Sequence, residues 1–288
     1  MMNKTARSCA MFVAISAFNQ AAWTNDDTCT VVTWDEKSFN NPYIPIRKPG
    51  KYCIDRDYHF ICYPWSHSCK GEIIDIDASD VDLDLKGHKL SSTNTSAYIG
   101  VRAKGKNITI RRGKISGMGR GVMLHSSDAH SYSTNFFRRD AIEKNKRPAS
   151  GNFLIENLDV ITDKQLGWWA IQSSAANVVL KNNRIIGTVL IHGPDAVLEG
   201  NRIQLDARDY DPNQRVNFRY GLIARNADNL RIIGNTFGIL GDRTETTAIA
   251  IWDTQNATVT DNRIYGATTP IQIDNSTAEQ RDNKTGLW

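Results

Sequence analysis

The chain has 288 residues, of which 40% are hydrophobic, and its 35 basic and 31 acidic residues leave a formal net charge of +4. This length is sufficient for one large all-β domain with a continuous core. A net charge this small is not typical of nucleic-acid-binding proteins, so no nucleic-acid partner is expected.

The N-terminal segment has the features of a secretory signal. Lys4 and Arg7 precede a short apolar run over 9–18, and two alanines follow near a potential cleavage point. We therefore predict a signal peptide over 1–22 and a secreted or periplasmic protein; an ordinary N-terminal helix is the alternative. The apolar run is too short to span a bilayer, and no membrane span is predicted.

Four cysteines follow the signal within 41 residues: Cys29, Cys53, Cys62 and Cys69. In an oxidising compartment they predict two disulfides, for which three pairings are possible. A zinc site is the alternative, but the segment has no C-x2-C pair. We therefore expect no metal and no cofactor.

Seven segments of the chain share one pattern, and each ends on an apolar residue that we call the anchor. The anchors are Leu90, Ile115, Val160, Ile185, Ile203, Phe237 and Ile264. The residues seven and five positions before each anchor are apolar, and the residue eight positions before it is Asn or Asp, from Asp82 to Asn256. Apolar residues at i and i+2 form one buried face of a short strand. Each segment is therefore predicted to be a strand, a bend and a second strand.

The residues that precede the anchors indicate where the chain bends. Two positions before the anchor, five copies carry Gly113, Asn183, Asn201, Asn235 and Asn262. Gly and Asn tolerate a left-handed backbone, so we place the left-handed residue of each bend there. Asn side chains stacked in this way are also expected to hydrogen-bond along the axis of the repeat.

The spacing of the anchors identifies a solenoid. Successive anchors are 25, 45, 25, 18, 34 and 27 residues apart, and the longer gaps are interpreted as coils with inserted loops. A third strand is predicted in each coil, at 98–103, 121–126, 169–174, 189–193, 221–225, 248–253 and 270–274. Three strands per coil without helical periodicity predict an all-β parallel β-helix over 79–274. Residues 23–78 would form a cysteine-containing N-terminal cap, and 275–288 a loose polar C-terminal tail.

The repeats over 80–274 resemble the pectin-lyase-like superfamily, and IRKPGKYCIDRDYHF (46–60) with IDIDASDVDLDLKGHKL (74–90) is similar to the opening of NosD-like β-helix repeat proteins of bacteria. The resemblance implies a single-stranded, right-handed parallel β-helix. Better-known members of the superfamily depolymerise or epimerise acidic polysaccharides, but their enzyme motifs are not present here. The closest echo, DYDPNQR (209–215), has Asn213 where alginate epimerases carry a histidine.

Long loops mark one face of the predicted β-helix as a binding site. They flank the third strands at 127–151, 161–168, 204–220 and 238–247, and insertions in solenoids are typical of a binding face. Strand alternation points one set of side chains outward on this face. The predicted catalytic residues are His125, His192, Arg225 and Asp253. The predicted substrate-binding residues are Gln172, Trp168, Arg138, Arg139 and Asp274.

These residue types suit chemistry on a sugar acid. Arg neutralises a carboxylate while His or Asp transfers a proton, and the cations and aromatics of 126–150 suit an anionic glycan. No pair of carboxylates stands out, so lyase or epimerase chemistry is favoured over glycoside hydrolysis. The alternative is that these side chains belong to an ordinary solvated surface.

Three functions remain open from the sequence. The first is a monomeric, exported protein that binds, and in one version processes, an acidic polysaccharide. The second is a non-catalytic structural or protein-interaction β-helix. The third is a metal-handling periplasmic protein, which only the NosD-like resemblance favours, because no Met-rich or His-rich tract is present.

Overall fold

A computed structural model of the chain describes residues 28–33, 43–61, 71–93, 98–125, 150–162, 169–206, 219–241 and 245–286. Within these ranges all regular structure is β-strand. None of the described residues belongs to a helix long and apolar enough to cross a membrane.

The described ranges contain 26 strands. The first ten are β1 (Thr30–Val31), β2 (Ile44–Ile46), β3 (Gly50–Cys53), β4 (Tyr58–Ile61), β5 (Gly71–Asp77), β6 (Val81–Asp84), β7 (Lys89–Thr93), β8 (Tyr98–Lys104), β9 (Ile108–Met118) and β10 (Arg120–His125). The next eight are β11 (Ser150–Thr162), β12 (Trp169–Ser174), β13 (Ala176–Lys181), β14 (Arg184–Ile186), β15 (Thr188–His192), β16 (Val197–Glu199), β17 (Arg202–Asp206) and β18 (Tyr220–Arg225). The last eight are β19 (Arg231–Ile233), β20 (Thr236–Leu240), β21 (Thr247–Trp252), β22 (Ala257–Thr260), β23 (Arg263–Tyr265), β24 (Thr269–Asp274), β25 (Ala278–Arg281) and β26 (Lys284–Gly286).

The strands form two parallel sheets. The nine-stranded sheet runs in the order β2-β5-β8-β10-β12-β15-β18-β21-β24. The seventeen-stranded sheet bends into two arms. The first arm contains β1, β3, β6, β13, β16, β19, β22 and β25 with the N-terminal parts of β9 and β11. The second arm contains β4, β7, β14, β17, β20, β23 and β26 with the C-terminal parts of β9 and β11. Each strand pairs with its equivalents in the coils before and after, which is the predicted right-handed parallel β-helix.

The core is built from rows of apolar side chains that stack from coil to coil. One row of the first arm consists of Leu83, Ile110, Ile155, Leu180, Leu198, Ile232 and Val259. All of these side chains are fully buried. Alternation along each strand turns the intervening residues outward, so the core fills the inside of the coil.

The bend between the two arms differs by one residue from the prediction. The left-handed residues lie three positions before the anchor, as at Arg112, Asn182 and Asp261 with φ of 53°, 52° and 57°. The Asn residues two positions before the anchor have a different role, because their side chains turn inward. Asn183, Asn201, Asn235, Asn262 and Asn283 form a hydrogen-bonded ladder, in which each side-chain amide donates to the Oδ1 of the next.

The predicted stacking of Asn side chains is therefore confirmed, and the distances in the ladder lie between 2.9 and 3.1 Å. A second row of left-handed residues begins each first-arm segment, eight positions before the anchor, as at Asn107 and Asn177. In the coil that contains Leu90 this residue is Asp80 rather than Asp82, because the coil has two extra residues in the Lys86–Gly87 turn.

Both ends of the predicted β-helix extend further than the sequence indicates. Strands β2 to β5 pair with β5 to β8, so the coils reach back to residue 44, within the segment predicted as the cap. Residues 278–286 form β25 and β26, which pair with β22 and β23. The prediction of a loose tail is wrong for these residues.

A disulfide joins Cys29 to Cys53 near the N-terminus. It lies beside the pairing of β1 with β3, where Val31 is opposite Cys53. Cys62 and Cys69 lie outside the described residues, as does the predicted signal peptide over 1–22, and these assignments stay predictions.

Candidate functional site

The predicted catalytic histidines and Arg225 lie on one outward row of the nine-stranded sheet. Register places His125 opposite Ser174 and His192 opposite Arg225. The pairing of Ser173 with Ile191, continued by one residue, puts His192 beside Ser174. The row therefore spans three strand spacings from His125 to Arg225, or about 14 Å. At this separation the residues do not form one compact proton-transfer site.

Part of this row is buried rather than open. His192 is 2% exposed, and its Nδ1 lies 3.0 Å from the carbonyl oxygen of Arg225. Gln172, predicted to bind substrate, is 4% exposed. The expectation that these two side chains line an open polar surface is not met.

An apolar cluster lies on the outer face of the same sheet. Leu190, Ile223 and Ala250 continue the outward row of Gln172 and are buried. They pack with Trp169, and the partly buried Tyr220 and Trp252 pack against them. Sequence alternation alone marked this row as outward but could not show that it is covered.

Asp253 was predicted to project outward from its strand, but it contacts Arg225 from a position after the end of that strand. Alternation places Trp252 outward on β21, opposite Arg225 and Asp274. Asp253 follows the strand in a left-handed conformation, with φ of 50°. Its Oδ2 accepts from Arg225 Nε at 3.2 Å, and its Oδ1 accepts from Asn275 Nδ2 at 2.7 Å. Asp274 ends the row and is exposed.

The environment of His125 holds its imidazole in the neutral form. Nδ1 lies 2.9 Å from Ser174 Oγ. Burial, followed by the positive charges of Arg102, Arg120 and Lys104, lowers the pKa of His125 from 6.5 to about 4. Burial also lowers the pKa of His192, against the effect of its hydrogen bond to Arg225. Both histidines are therefore uncharged at neutral pH, and a base with a pKa near 4 is a weak one.

The remaining predicted substrate-binding residues, Trp168, Arg138 and Arg139, lie outside the described residues. Their roles stay predictions. Among the described residues, no group of three or more His, Cys, Asp or Glu side chains is placed to hold a metal ion.

A buried carboxylate at the N-terminal end of the nine-stranded sheet has the densest polar contacts. Asp75 accepts hydrogen bonds from Tyr43 Oη at 2.7 Å and from Arg102 Nε at 2.8 Å, and Arg47 pairs with it as well. Burial raises the pKa of Asp75, but the hydrogen bonds from Arg102, Tyr43 and Arg47 outweigh it and lower the pKa overall. Asp75 is fully buried, and its contacts link β5 to β8 and to the two residues that flank β2.

A second polar surface, which was not predicted from the sequence, lies on the second arm. On the second arm, the outward residue immediately before each anchor is basic in most coils. These residues form one row across neighbouring strands: Lys89, Lys114, Asp159, Arg184, Arg202, Thr236, Arg263 and Lys284. We call the six basic members the cation row. All six share one position in the sequence, immediately before the anchor position.

The two ends of the cation row differ in their charge balance. Asp159 accepts from Arg184 Nη1 at 2.8 Å and lies 3.6 Å from Lys114 Nζ. Arg202, Arg263 and Lys284 are exposed and form no ion pair with another described residue. Asp261 and Asp282 lie in the bends nearby and do not pair with them either. The C-terminal part of the row therefore carries several cations with little compensation.

No protein-family model matches the chain, and no curated protein matches it. Among solved structures, the enzymatically active domain of tailspike protein 2 from bacteriophage CBA120 matches 84% of this chain, with 11% identity and a TM-score of 0.52. The chain spans 38% of the length of that domain. PfbA, a surface adhesin of Streptococcus pneumoniae, matches 90% of this chain and 91% of its own, with 11% identity and a TM-score of 0.33. At this identity the tailspike likeness supports the fold alone.

Proposed function

We propose that this chain is an exported β-helix protein that binds an anionic polysaccharide along the cation row. The observation that carries the proposal is the stacking of Arg184, Arg202, Arg263 and Lys284 on the outer face of one sheet. Neighbouring strands are about 4.8 Å apart. Arg184 with Arg202, and Arg263 with Lys284, lie on adjacent strands, whereas Thr236 separates Arg202 from Arg263. Like charges on adjacent strands repel each other, and a bound polyanion would relieve that repulsion.

The shape of the surface favours an extended polymer with regularly repeated charges. From Arg184 to Lys284 the row crosses four strand spacings, or about 19 Å. Three of these four cations are arginines, whose planar guanidinium groups bind carboxylate or sulfate with two parallel hydrogen bonds. Uronic acids and sulfated sugars supply these groups at intervals along a linear chain, which can lie flat on a parallel sheet.

Export is supported by the Cys29–Cys53 disulfide, since stable disulfides form in oxidising compartments. It agrees with the signal peptide predicted over 1–22. The resemblance to NosD-like proteins stays an interpretation of the sequence.

Binding is tested with polygalacturonate, heparin and the neutral glucan pullulan, at low and moderate salt. We expect the two anionic polymers to bind and pullulan not to bind, with affinity falling as salt screens the charges over about 10 Å at 0.1 M. The double variant Arg202→Gln, Arg263→Gln should bind the anionic polymers at least about tenfold more weakly.

The matched control is the double variant Arg231→Gln, Lys106→Gln, which removes the same charge from exposed positions outside the cation row. It should bind like the wild type. Equal losses in the two variants would mean that net charge alone drives binding. Stronger binding of double-stranded DNA would favour a nucleic-acid partner, and no polymer binding would favour the protein-interaction β-helix.

Processing of the polymer stays a separate prediction, assigned to the outward row of His125, His192 and Arg225 with Asp253. Lyase action on polygalacturonate would form an unsaturated product with new ultraviolet absorbance. An increase in absorbance that is lost in Arg225→Gln would support it, and a flat trace with bound polymer would restrict the protein to binding.

A further inference from the structure

Tyr265 lies beside the cation row in a position suited to a sugar ring. It is two residues after Arg263 on β23, so both side chains project from the outer face of the second arm. Register places Gly238 on one side of Tyr265 and Gly286 on the other. Neither neighbour has a side chain. Tyr265 therefore supplies the only side chain of this outward row on β20, β23 and β26.

The ring of Tyr265 leans toward the strand of Gly286. A Cβ built on Gly286 would lie 3.6 Å from Cδ1 and 3.7 Å from Cε1 of the tyrosine. This is ordinary contact distance, so the ring occupies the space above the glycine and lies against the sheet. Tyr265 as a whole is partly buried, and its ring forms a low aromatic surface.

Two cations, Arg263 and Lys284, lie on one side of this aromatic surface. Arg263 is about 6.6 Å away along the strand, at two residues of rise. Lys284 stands next to Arg263 on β26, and Gln204 continues the row of Tyr265 on β17. The aromatic surface therefore has one cation on its own strand, a second cation on the adjacent strand and an amide two strand spacings away, or about 10 Å.

We propose that Tyr265 is a stacking site for one sugar ring of the bound polymer, with the acidic group of that sugar directed to Arg263 and Lys284. This inference rests on the proposed function. A pyranose has an apolar face of C–H groups that packs on an aromatic ring, whereas its hydroxyl and acidic groups project sideways toward polar partners. The site would distinguish polymers built from rings from polyanions that have none.

The test compares polygalacturonate and heparin with inorganic polyphosphate, a linear polyanion without rings. Tyr265→Ala should weaken binding of the polysaccharide about tenfold and change polyphosphate binding less than about twofold. Tyr265→Phe keeps the ring and should bind both polymers like the wild type. Ile161→Ala is the matched control, because Ile161 lies in the same outward row beside Asp159. It should change neither affinity.

The outcomes separate this inference from the proposed function. If the wild type binds polysaccharide and Tyr265→Ala binds it equally well, the stacking site is wrong and the proposed function stands. The same conclusion follows if Tyr265→Ala weakens both polymers by one factor, because a structural role in covering Gly286 would do that. If no polysaccharide binds to the wild type, both are wrong.

Discussion

The side chain of Asn235 makes five hydrogen bonds within the buried ladder between the two arms. Its Oδ1 accepts from the backbone and side-chain nitrogens of Asn201 at 2.8 and 3.0 Å. Its Nδ2 donates to Leu198 O, to Ile233 O and to Asn262 Oδ1 at 2.9, 3.2 and 3.1 Å. The amide thus joins three successive coils.

Asn235→Ala should lower the free energy of unfolding by about 2–4 kcal/mol, because it leaves several buried donors and acceptors without partners. Denaturant unfolding measures the change. Thr258→Ala, at a half-buried outward position of the first arm, is the control and should cost less than about 1 kcal/mol. Equal losses in the two variants would contradict a special role for the ladder.

The neutral state of His125 makes stability depend on pH. An unfolded histidine titrates near 6.5, whereas His125 in the folded protein titrates near 4. Between these values the unfolded chain binds the proton and the folded chain does not. The stability that neutral His125 contributes is therefore present above about pH 6.5 and lost as the pH falls toward 4.

His125→Gln should remove this part of the pH dependence and retain most of the stability at neutral pH. The measurement is the free energy of unfolding of both proteins from pH 7 to 4. His59→Gln is the matched control, because exposed His59 lies 2.9 Å from the Oγ of Ser91 in the same manner. A difference between wild type and His125→Gln that is constant with pH would contradict the pKa assigned to His125.

At the scale of single strands, the inward pattern was predictable and the outward one was not. Each anchor and the apolar residues before it occupy the core as predicted, because burial demands apolar side chains at fixed intervals. The last two strands escaped prediction since Thr285 occupies the anchor position and Gln280 replaces an apolar residue. The bend was misplaced by one residue because Asn serves both as a left-handed residue and as a ladder residue.

The candidate site shows the same limit. Alternation placed His125, His192 and Arg225 on the outer face of one sheet, and register aligns them in one row, but alternation gave no sign that His192 is buried. The cation row, in contrast, was readable from the sequence. The residue immediately before the anchor is basic in several repeats: Lys89, Lys114, Arg184, Arg202 and Arg263.

The Cys29–Cys53 disulfide ties the two-residue strand β1 to β3. A strand this short contributes few hydrogen bonds, so the covalent link should hold it in place. Replacing both cysteines by serine should lower the free energy of unfolding by about 2–4 kcal/mol. Thermal unfolding of the variant and of the wild type, with and without reductant, measures this. A variant as stable as the oxidised wild type would show that β1 needs no link.

The continuous core makes the whole molecule sensitive to one buried charge. Ile232 is fully buried, and the adjacent Arg231 on the same strand is exposed. Ile232→Asp should cost more than about 4 kcal/mol or prevent folding, because the carboxylate has no partner in the core. Arg231→Asp adds the same side chain on the outside and should remain folded. Circular dichroism and thermal unfolding of the pair make the comparison, and similar behaviour would refute the register of the strand.

The Asn ladder has a mechanical consequence. Its members are separated by 18, 34, 27 and 21 residues, which are the lengths of the coils between them. If the protein is pulled from its C-terminus, each coil that detaches adds its own length of chain, at about 3.5 Å per residue. Detachment in order from the C-terminal end would lengthen the tether in unequal steps of about 7, 9, 12 and 6 nm. The coil lengths would then appear as a sequence of extensions under force.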